Sequence, residues 1–261
     1  MKTDSFKDKY GPVALVTGAS SGIGKSFAGK LASMGMDLVL VARRVQHLEA
    51  LAQRLQQEYG VRATICPVDL AGPQAVHAIL DATAAFDIGL VVSNAGFSLK
   101  GDHAANDPHQ LTDMLMVNCH APILLAHGFI PRLRKRGKGG IVFTSSVEAL
   151  IGCPFSSAYA ASKALVKSLG EGLWGELTPE GIDVLTICPG ATDTEALARS
   201  GVDRTALKNV MSPDEVAKLA LENICNGPVL ITSEHYEAMF NKLLSMPRRD
   251  ALVAMARSLK H

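Results

Sequence analysis

In the run SSAYAASKALVKS, from Ser156 to Ser168, a phenol and an ammonium group stand four residues apart, at Tyr159 and Lys163. On a helix, residues i and i+4 share a face. Free tyrosine has a pKa near 10, too high to exchange a proton readily at neutral pH. An ammonium within about 4–6 Å favours the phenolate and pulls that value down. A tyrosine tuned in this way is a general acid for the oxygen of a carbonyl being reduced, and a base in the reverse direction. Ser146, 13 residues upstream at the end of an apolar run, offers a hydroxyl to orient the same oxygen. Ala158, Ala160, Ala161, Ser162 and Ala164 flank the pair and leave room for a ligand against the helix. The competing reading is a surface helix with an ordinary Tyr–Lys neighbour pair.

A second group of residues speaks of a phosphate. TGASSGIG, from Thr17 to Gly24, follows an apolar run and opens a helical one. Gly18 permits a tight turn, Gly22 lets backbone approach a phosphate, and Gly24 lets the helix pack closely on a sheet. The helix start, with Ser20, Ser21 and Ile23 between and beside these glycines, offers N–H groups to a pyrophosphate. The spacing is GxxxGxG, not the GxGxxG of the standard dinucleotide fingerprint. The next apolar run ends LVLVARR, at Ala42, Arg43 and Arg44, with no carboxylate to accept from a ribose 2′-hydroxyl. A guanidinium fork suits a 2′-phosphate instead, and Ser20 would add a hydroxyl. The expected cofactor is NADP(H).

These groups must be positioned by the rest of the chain. Continuous β-branched runs occur at 13–18, 37–43, 62–69, 88–96, 139–146, 182–190 and 228–232, as strands covered on both faces require. Amphipathic helical patterns lie between them, such as LEALAQRLQQEYG with Leu48, Leu51, Ala52 and Leu55 on one face and Gly60 as its stop. Seven strands alternating with helices predict a Rossmann-like, doubly wound parallel sheet of α/β class. Ligands of such sheets sit beyond the carboxyl ends of the strands, where every motif above falls. With 261 residues and 48% hydrophobic side chains, a single large core is expected. The reading divides the chain into a catalytic and cofactor-binding domain, 1–233, and a C-terminal helical extension, 234–261.

With TGASSGIG, SNAG at 93–96, Val117–Asn118, Ser146, YAASK at 159–163 and Pro189–Gly190 in this order, the sequence resembles the short-chain dehydrogenase/reductase family. The resemblance covers about Pro12 to Thr232. It implies a catalytic set of Ser146, Tyr159 and Lys163, with Asn118 holding a water in a proton relay through the lysine. It implies that Lys163 also binds the nicotinamide ribose. Asp69 with Leu70 corresponds to the adenine-contacting position, and Asn94, Ala95 and Gly96 to the stretch along the adenosine ribose. Pro189, Gly190, Thr192 and Thr194 correspond to the segment that grips the nicotinamide carboxamide. The ARR run resembles the NADP-preferring branch. Two departures stand out: SNAG replaces the family's NNAG, and about 28 residues follow the last strand. The segment Ala191 to Val210 is expected to cover a pocket for a small or medium-sized, partly apolar substrate.

Charge and composition narrow the function further. The net charge is +1, with 26 basic and 25 acidic side chains, which excludes the basic excess of a nucleic-acid binder. Five scattered cysteines, without CxxC, read as reduced thiols of a cytoplasmic protein. The polar start MKTDSFKDKYG lacks the apolar core of a secretory signal, and membrane association is not expected. RLRKRGK, Arg132 to Lys138, reads as cations favoured in a helix's last turn. The histidines, including His103, His109, His120 and His127, form no metal motif, and Cys188 reads as packing. In the tail, Tyr236, Met239, Phe240, Leu243 and Leu244 form one apolar stripe and Leu252, Met255, Ala256 and Leu259 a second, with Arg248, Arg249, Arg257 and Lys260 on other faces. Helices packed on the body or on a second subunit are expected there, ahead of a substrate lid. The whole points to an NADP(H)-dependent oxidoreductase working on a small-molecule carbonyl or alcohol, as a homodimer or homotetramer. A non-catalytic NADP(H)-binding redox sensor is the alternative from another class, but a sensor has no use for a proton donor. A dehydratase or epimerase fits the glycine spacing less well.

Overall fold

The computed structural model describes residues 3–195, 197, 207 and 209–258. Seven strands form one parallel sheet: β1 (Val13–Thr17), β2 (Asp37–Ala42), β3 (Ala63–Pro67), β4 (Ile88–Ser93), β5 (Gly139–Thr144), β6 (Ile182–Cys188) and β7 (Val229–Ile231). Their order across the sheet is β3-β2-β1-β4-β5-β6-β7. Each of the seven runs expected from the sequence holds one strand. The central strands β1, β4, β5 and β6 are buried along their whole length, which is why they read as unbroken apolar runs. Strand order reverses between β1 and β4, and it is beyond the carboxyl ends at such a point that sheets of this kind hold their ligands in a crevice.

One face of the sheet is covered by α2 (Gly22–Ser33), α3 (Val45–Tyr59) and α8 (Pro213–Glu222), through Phe27, Leu31, Leu48, Leu55 and Val216. The other is covered by α4 (Ala75–Ala82), α6 (Ala121–Arg136) and α7 (Ser157–Leu177), through Ile79, Phe129, Leu133, Val166 and Leu177. α5 (Pro108–Leu115) runs into α6 through one π-helical turn, Met116–His120. This continuous helix, 108–136, is long and apolar enough to cross a membrane by length and composition. Leu125, Phe129 and Leu133 instead bury that apolar surface against the sheet.

The first helix, α1 (Thr3–Tyr10), is absent from the sequence reading. Its polar composition hides two buried rings, Phe6 and Tyr10, four residues apart, and Lys9 and Tyr10 both reach Asp183. The RLRKRGK run is a set of clamps. Arg132 donates to the carbonyls of Leu80 and Thr83 at 2.8 and 3.1 Å, where α4 ends, and Arg134 takes both carboxylate oxygens of Glu180 at 2.7 Å. Arg136 pairs with Asp87. Three of the run's cations are thus occupied by the fold.

The C-terminal extension forms two helices, α9 (Glu234–Ser245) and α10 (Arg248–Ser258). They close a third apolar cluster over the carboxyl end of the sheet: Phe240, Ala251 and Met255 meet Val147, Ile151, Cys153, Ala160 and Cys188. Met239 and Leu244 of the first stripe remain exposed. Leu259 and Lys260 lie outside the described residues.

Candidate active site

α7 carries Tyr159 and Lys163 one turn apart, as the spacing requires. What fixes the helix against the sheet is local chemistry. Ser145 donates to the Lys163 carbonyl at 2.7 Å, and Lys163 Nζ donates to the Thr144 carbonyl at the end of β5 at 2.8 Å. Lys163 is 4% exposed. The ammonium therefore sits inside the fold, 5.8 Å from the centre of the Tyr159 ring. Ser146 follows directly after Ser145. Its hydroxyl accepts the Glu148 N–H at 3.2 Å, capping a short 3-10 turn at Val147–Ala149, and also bonds the Tyr159 phenol.

Asn118 lies in the π turn, a local widening of the helix that recurs at functional sites. Its amide donates to the Phe97 carbonyl and to Ser162 Oγ at 2.9 and 3.0 Å and accepts the Phe97 N–H at 3.1 Å. Ser162 in turn donates to the Tyr159 carbonyl at 2.7 Å. The side chain of Asn118 is thus engaged in joining α6 to α7. Gly96 leaves the space between: a Cβ there would stand 3.0 Å from both Asn118 Oδ1 and Lys163 Nζ.

The electrostatics of the pair differ from the sequence expectation. Burial pushes the Tyr159 phenol well above its ordinary value, the Glu148 carboxylate adds to that, and the Ser146 hydrogen bond opposes it. Burial lowers Lys163 to about 8, with Cys119 and Cys188 working weakly the other way. A nearby ammonium lowers a phenol's pKa only in proportion to its own charge and closeness, and loss of water outweighs it here. In the protein alone Tyr159 is therefore held as a proton donor. Lys163 also couples to stability. Its folded pKa lies below the unfolded value, so between about pH 8 and 10.5 the unfolded chain binds more protons and stability gains as pH rises. Compared with Lys163→Met, the parent protein should become relatively more stable across that window in urea unfolding. A constant difference between the two would mean that Lys163 titrates normally.

At the other end of the crevice, the glycine loop has the expected geometry. Gly18 and Gly22 have φ of 67° and 53°, in the left-handed region. A Cβ at Gly24 would meet the Gly18 carbonyl oxygen at 2.3 Å, so α2 approaches the loop as only glycine permits. The N-cap Ser21 makes no side-chain cap bond, and Ile23 lies in the first turn of α2. Arg44 reaches back to Ser20 Oγ at 3.2 Å and pairs with Glu195 at 2.8 Å. Arg43 does not join it. Its guanidinium faces Asp69 at 3.5 Å, with both side chains more than half exposed. Asp69 also accepts the Ala71 N–H at 3.1 Å, and Leu70 is buried.

The remaining expected residues line the crevice between these ends. Asn94 turns its side chain inward, donating to the Thr17 carbonyl at 3.1 Å and accepting from Thr144 at 3.2 Å. It ties β1, β4 and β5 together, with Ala95 N–H on Thr17 Oγ1 at 3.0 Å. Pro189 accepts the Val147 N–H, and Thr192 donates to the Gly190 carbonyl, both at 3.1 Å. Thr194 lies over Gly22, where a Cβ would stand 3.0 Å from its methyl. Much of the segment Ala191 to Val210 lies outside the described residues. Two side chains at the site, Lys100 and Glu148, escaped the sequence reading, and a third, Tyr236, was read only as part of the apolar stripe of the tail. Tyr236 of α9 packs on Gly190 so closely that a Cβ there would overlap its ring, and Ala191 backbone bonds its hydroxyl. Lys100 and Glu148 pair at 2.6 Å beside Tyr159. They are 48 residues apart, and no local pattern links them.

Residues 12–205 match the family model described as short chain dehydrogenase. The chain is 29% identical to 7beta-hydroxysteroid dehydrogenase of Clostridium sardiniense, over 98% of this chain and 99% of that one. Its fold is similar to that of a short-chain dehydrogenase from Sphingobium yanoikuyae solved in complex with NADPH, with a TM-score of 0.82, 36% identity and coverage of 93% and 95%. It is also similar to the bulky-bulky ketone specific alcohol dehydrogenase from Comamonas testosteroni, with a TM-score of 0.77, 32% identity and coverage of 97% of each chain. A seven-stranded sheet with a glycine cradle at one end and Tyr159 beside the buried Lys163 at the other, carried by a sequence that matches across these lengths, makes the chain a member of the short-chain dehydrogenase/reductase family, an oxidoreductase of CH–OH and C=O groups.

Proposed function

We propose that the protein interconverts a bulky, largely apolar ketone and its secondary alcohol with NADP(H), using Tyr159 as the proton donor and acceptor. The observation that carries this reading is Tyr159, protonated, hydrogen-bonded to Ser146 and beside the buried Lys163, at the open carboxyl end of β5. The residues present fit the cofactor. A glycine cradle that a Cβ at Gly24 would fill, and a helix start without a side-chain cap, suit a pyrophosphate. Arg44 over Ser20 suits a 2′-phosphate. When bound, the cofactor supplies or takes up the hydride. The chain does the rest. Ser146 and Tyr159 orient the substrate oxygen, and Tyr159 gives its proton to that oxygen as the C–O double bond is reduced. Lys163 would hold the ribose of the bound cofactor and stands ready to restore the proton, with Asn118 fixing the helix junction behind it. The apolar cluster of Val147, Ile151, Phe240 and Met255 roofs this end of the sheet. It supports a bulky apolar substrate, as do the names of the hydroxysteroid and bulky-ketone relatives.

Cofactor choice is the direct test. Removing one charged hydrogen-bonding partner of a phosphate costs about 1.5–3 kcal/mol, or roughly ten- to a hundredfold in affinity. Arg44→Ala should weaken NADPH binding by that factor in a fluorescence titration and leave NADH binding nearly unchanged. Equal loss for both cofactors would sink the 2′-phosphate assignment. The parent protein, screened against ketones by loss of NADPH absorbance, should turn over bulky apolar ones best. We further propose a cytosolic homodimer or homotetramer. All five cysteines are free thiols, as a reducing compartment keeps them, and Ile123 of α6 and Leu165 of α7 stay exposed in the single chain.

A further inference from the structure

Beside the proton donor stands an ion pair with no part in the chemistry above. Lys100, in the loop after β4, places its ammonium 2.6 Å from Glu148 Oε1 and 5.9 Å from the centre of the Tyr159 ring. Glu148 sits in the short turn that Ser146 caps, with its N–H on the Ser146 hydroxyl. Both side chains are largely shielded, at 28% and 22% exposure. The second carboxylate oxygen, Oε2, is shut away from solvent and finds no hydrogen-bond partner among the described residues. A carboxylate paired at one oxygen and dry at the other keeps much of its field. That field reaches three neighbouring acids, Tyr159, Tyr236 and Cys153, each of which it pushes upward. The charged and titratable groups facing Tyr159 are Lys163 on its own helix, Lys100 after β4, Glu148 and Cys153 after β5, and Cys188 at the end of β6.

We propose that Glu148, clamped by Lys100, is a positioning residue for the proton donor: it opposes the Tyr159 phenolate, Lys100 moderates that opposition, and the pair sets the pH at which alcohol oxidation gains its base. The proposal rests on Tyr159 as the donor. Reduction needs the phenol protonated, and oxidation needs it ionised. A carboxylate near the ring favours the first state and an ammonium the second. The two charges together place the changeover between directions where neither Lys163 nor burial alone would put it.

The test needs no substrate. The chain has only four tyrosines, so alkaline titration of phenolate absorbance, with the Tyr159→Phe signal subtracted, isolates Tyr159. Glu148→Gln should move its ionisation down by about one pH unit or more, and Lys100→Gln should move it up. A Tyr159 signal in Glu148→Gln at a pH where the parent shows none is the same result. Glu148→Ala gives a second charge-removing variant should the glutamine protein not fold. An unmoved titration on loss of Glu148, or shifts of the same sign for the Glu148 and Lys100 variants, overturns the proposal. The donor assignment fails separately: Tyr159→Phe that still reduces ketones removes it, whatever the titrations show.

Discussion

Tyr159→Phe should lose ketone reduction by about a hundred- to ten-thousandfold, the range general acid catalysis contributes, while NADPH still binds. The substitution removes one oxygen and keeps the ring, so the packing of α7 on the sheet is preserved. What disappears is the proton donor and its bond to Ser146. No other group described at this end replaces it. Cys188 is buried at the end of β6 with its thiol pushed up to about 11, and Lys163 is tied to the Thr144 carbonyl. Because the glycine cradle and Arg44 lie at the far end of the crevice, NADPH titration of the variant should give the parent's dissociation constant. A variant that reduces ketones at the parent rate would remove Tyr159 from the mechanism. One that fails to bind NADPH would mean that the phenol supports the cofactor cleft itself.

Much of this site was legible in the sequence because its constraints are local. Strand ends are marked by β-branched runs, the cradle by glycines whose φ or close approach no other residue tolerates, and the Tyr–Lys pair by helical spacing. What was not legible depends on where distant segments meet. The spacing of Tyr159 and Lys163 suggested a lowered phenol pKa, yet the sign is set by how deeply α7 is buried and by Glu148 arriving from another loop. Arg43 and Arg44 are adjacent in the chain but point to different partners, Asp69 and Ser20. Helix α1 reads as polar because, among its described side chains, only Phe6 and Tyr10 are buried. Tyr236 reaches Gly190 only because α9 folds back over the sheet's carboxyl end.

The same dependence on a distant contact makes Gly170 the most tightly packed glycine of α7. Here the helix lies directly on β6: a Cβ at Gly170 would fall 1.8 Å from Thr186 Oγ1 and 3.2 Å from Thr186 Cβ. Thr186 is fully buried on the central sheet and cannot swing into solvent. Gly170→Ala must therefore lift α7, and overpacking of this kind costs about 1–3 kcal/mol. A drop of roughly 2–12 °C in Tm is expected for a chain of this size, at about 2–4 °C per kcal/mol. The activity loss should exceed the stability loss, because Tyr159 and Lys163 ride on the same helix and a misplacement of about 1 Å can cost a hundredfold in rate. The clash also names its own cure. Thr186 Oγ1 is buried without a hydrogen-bond partner among the described residues, so Thr186→Ala sacrifices no bond. The alanine methyl at position 170 would then occupy much of the space that Oγ1 leaves. Gly170→Ala with Thr186→Ala should recover most of the lost Tm and turnover, giving a coupling energy opposite in sign to the single losses. Additive losses in the double variant would show that α7 is held off the sheet by something other than Thr186.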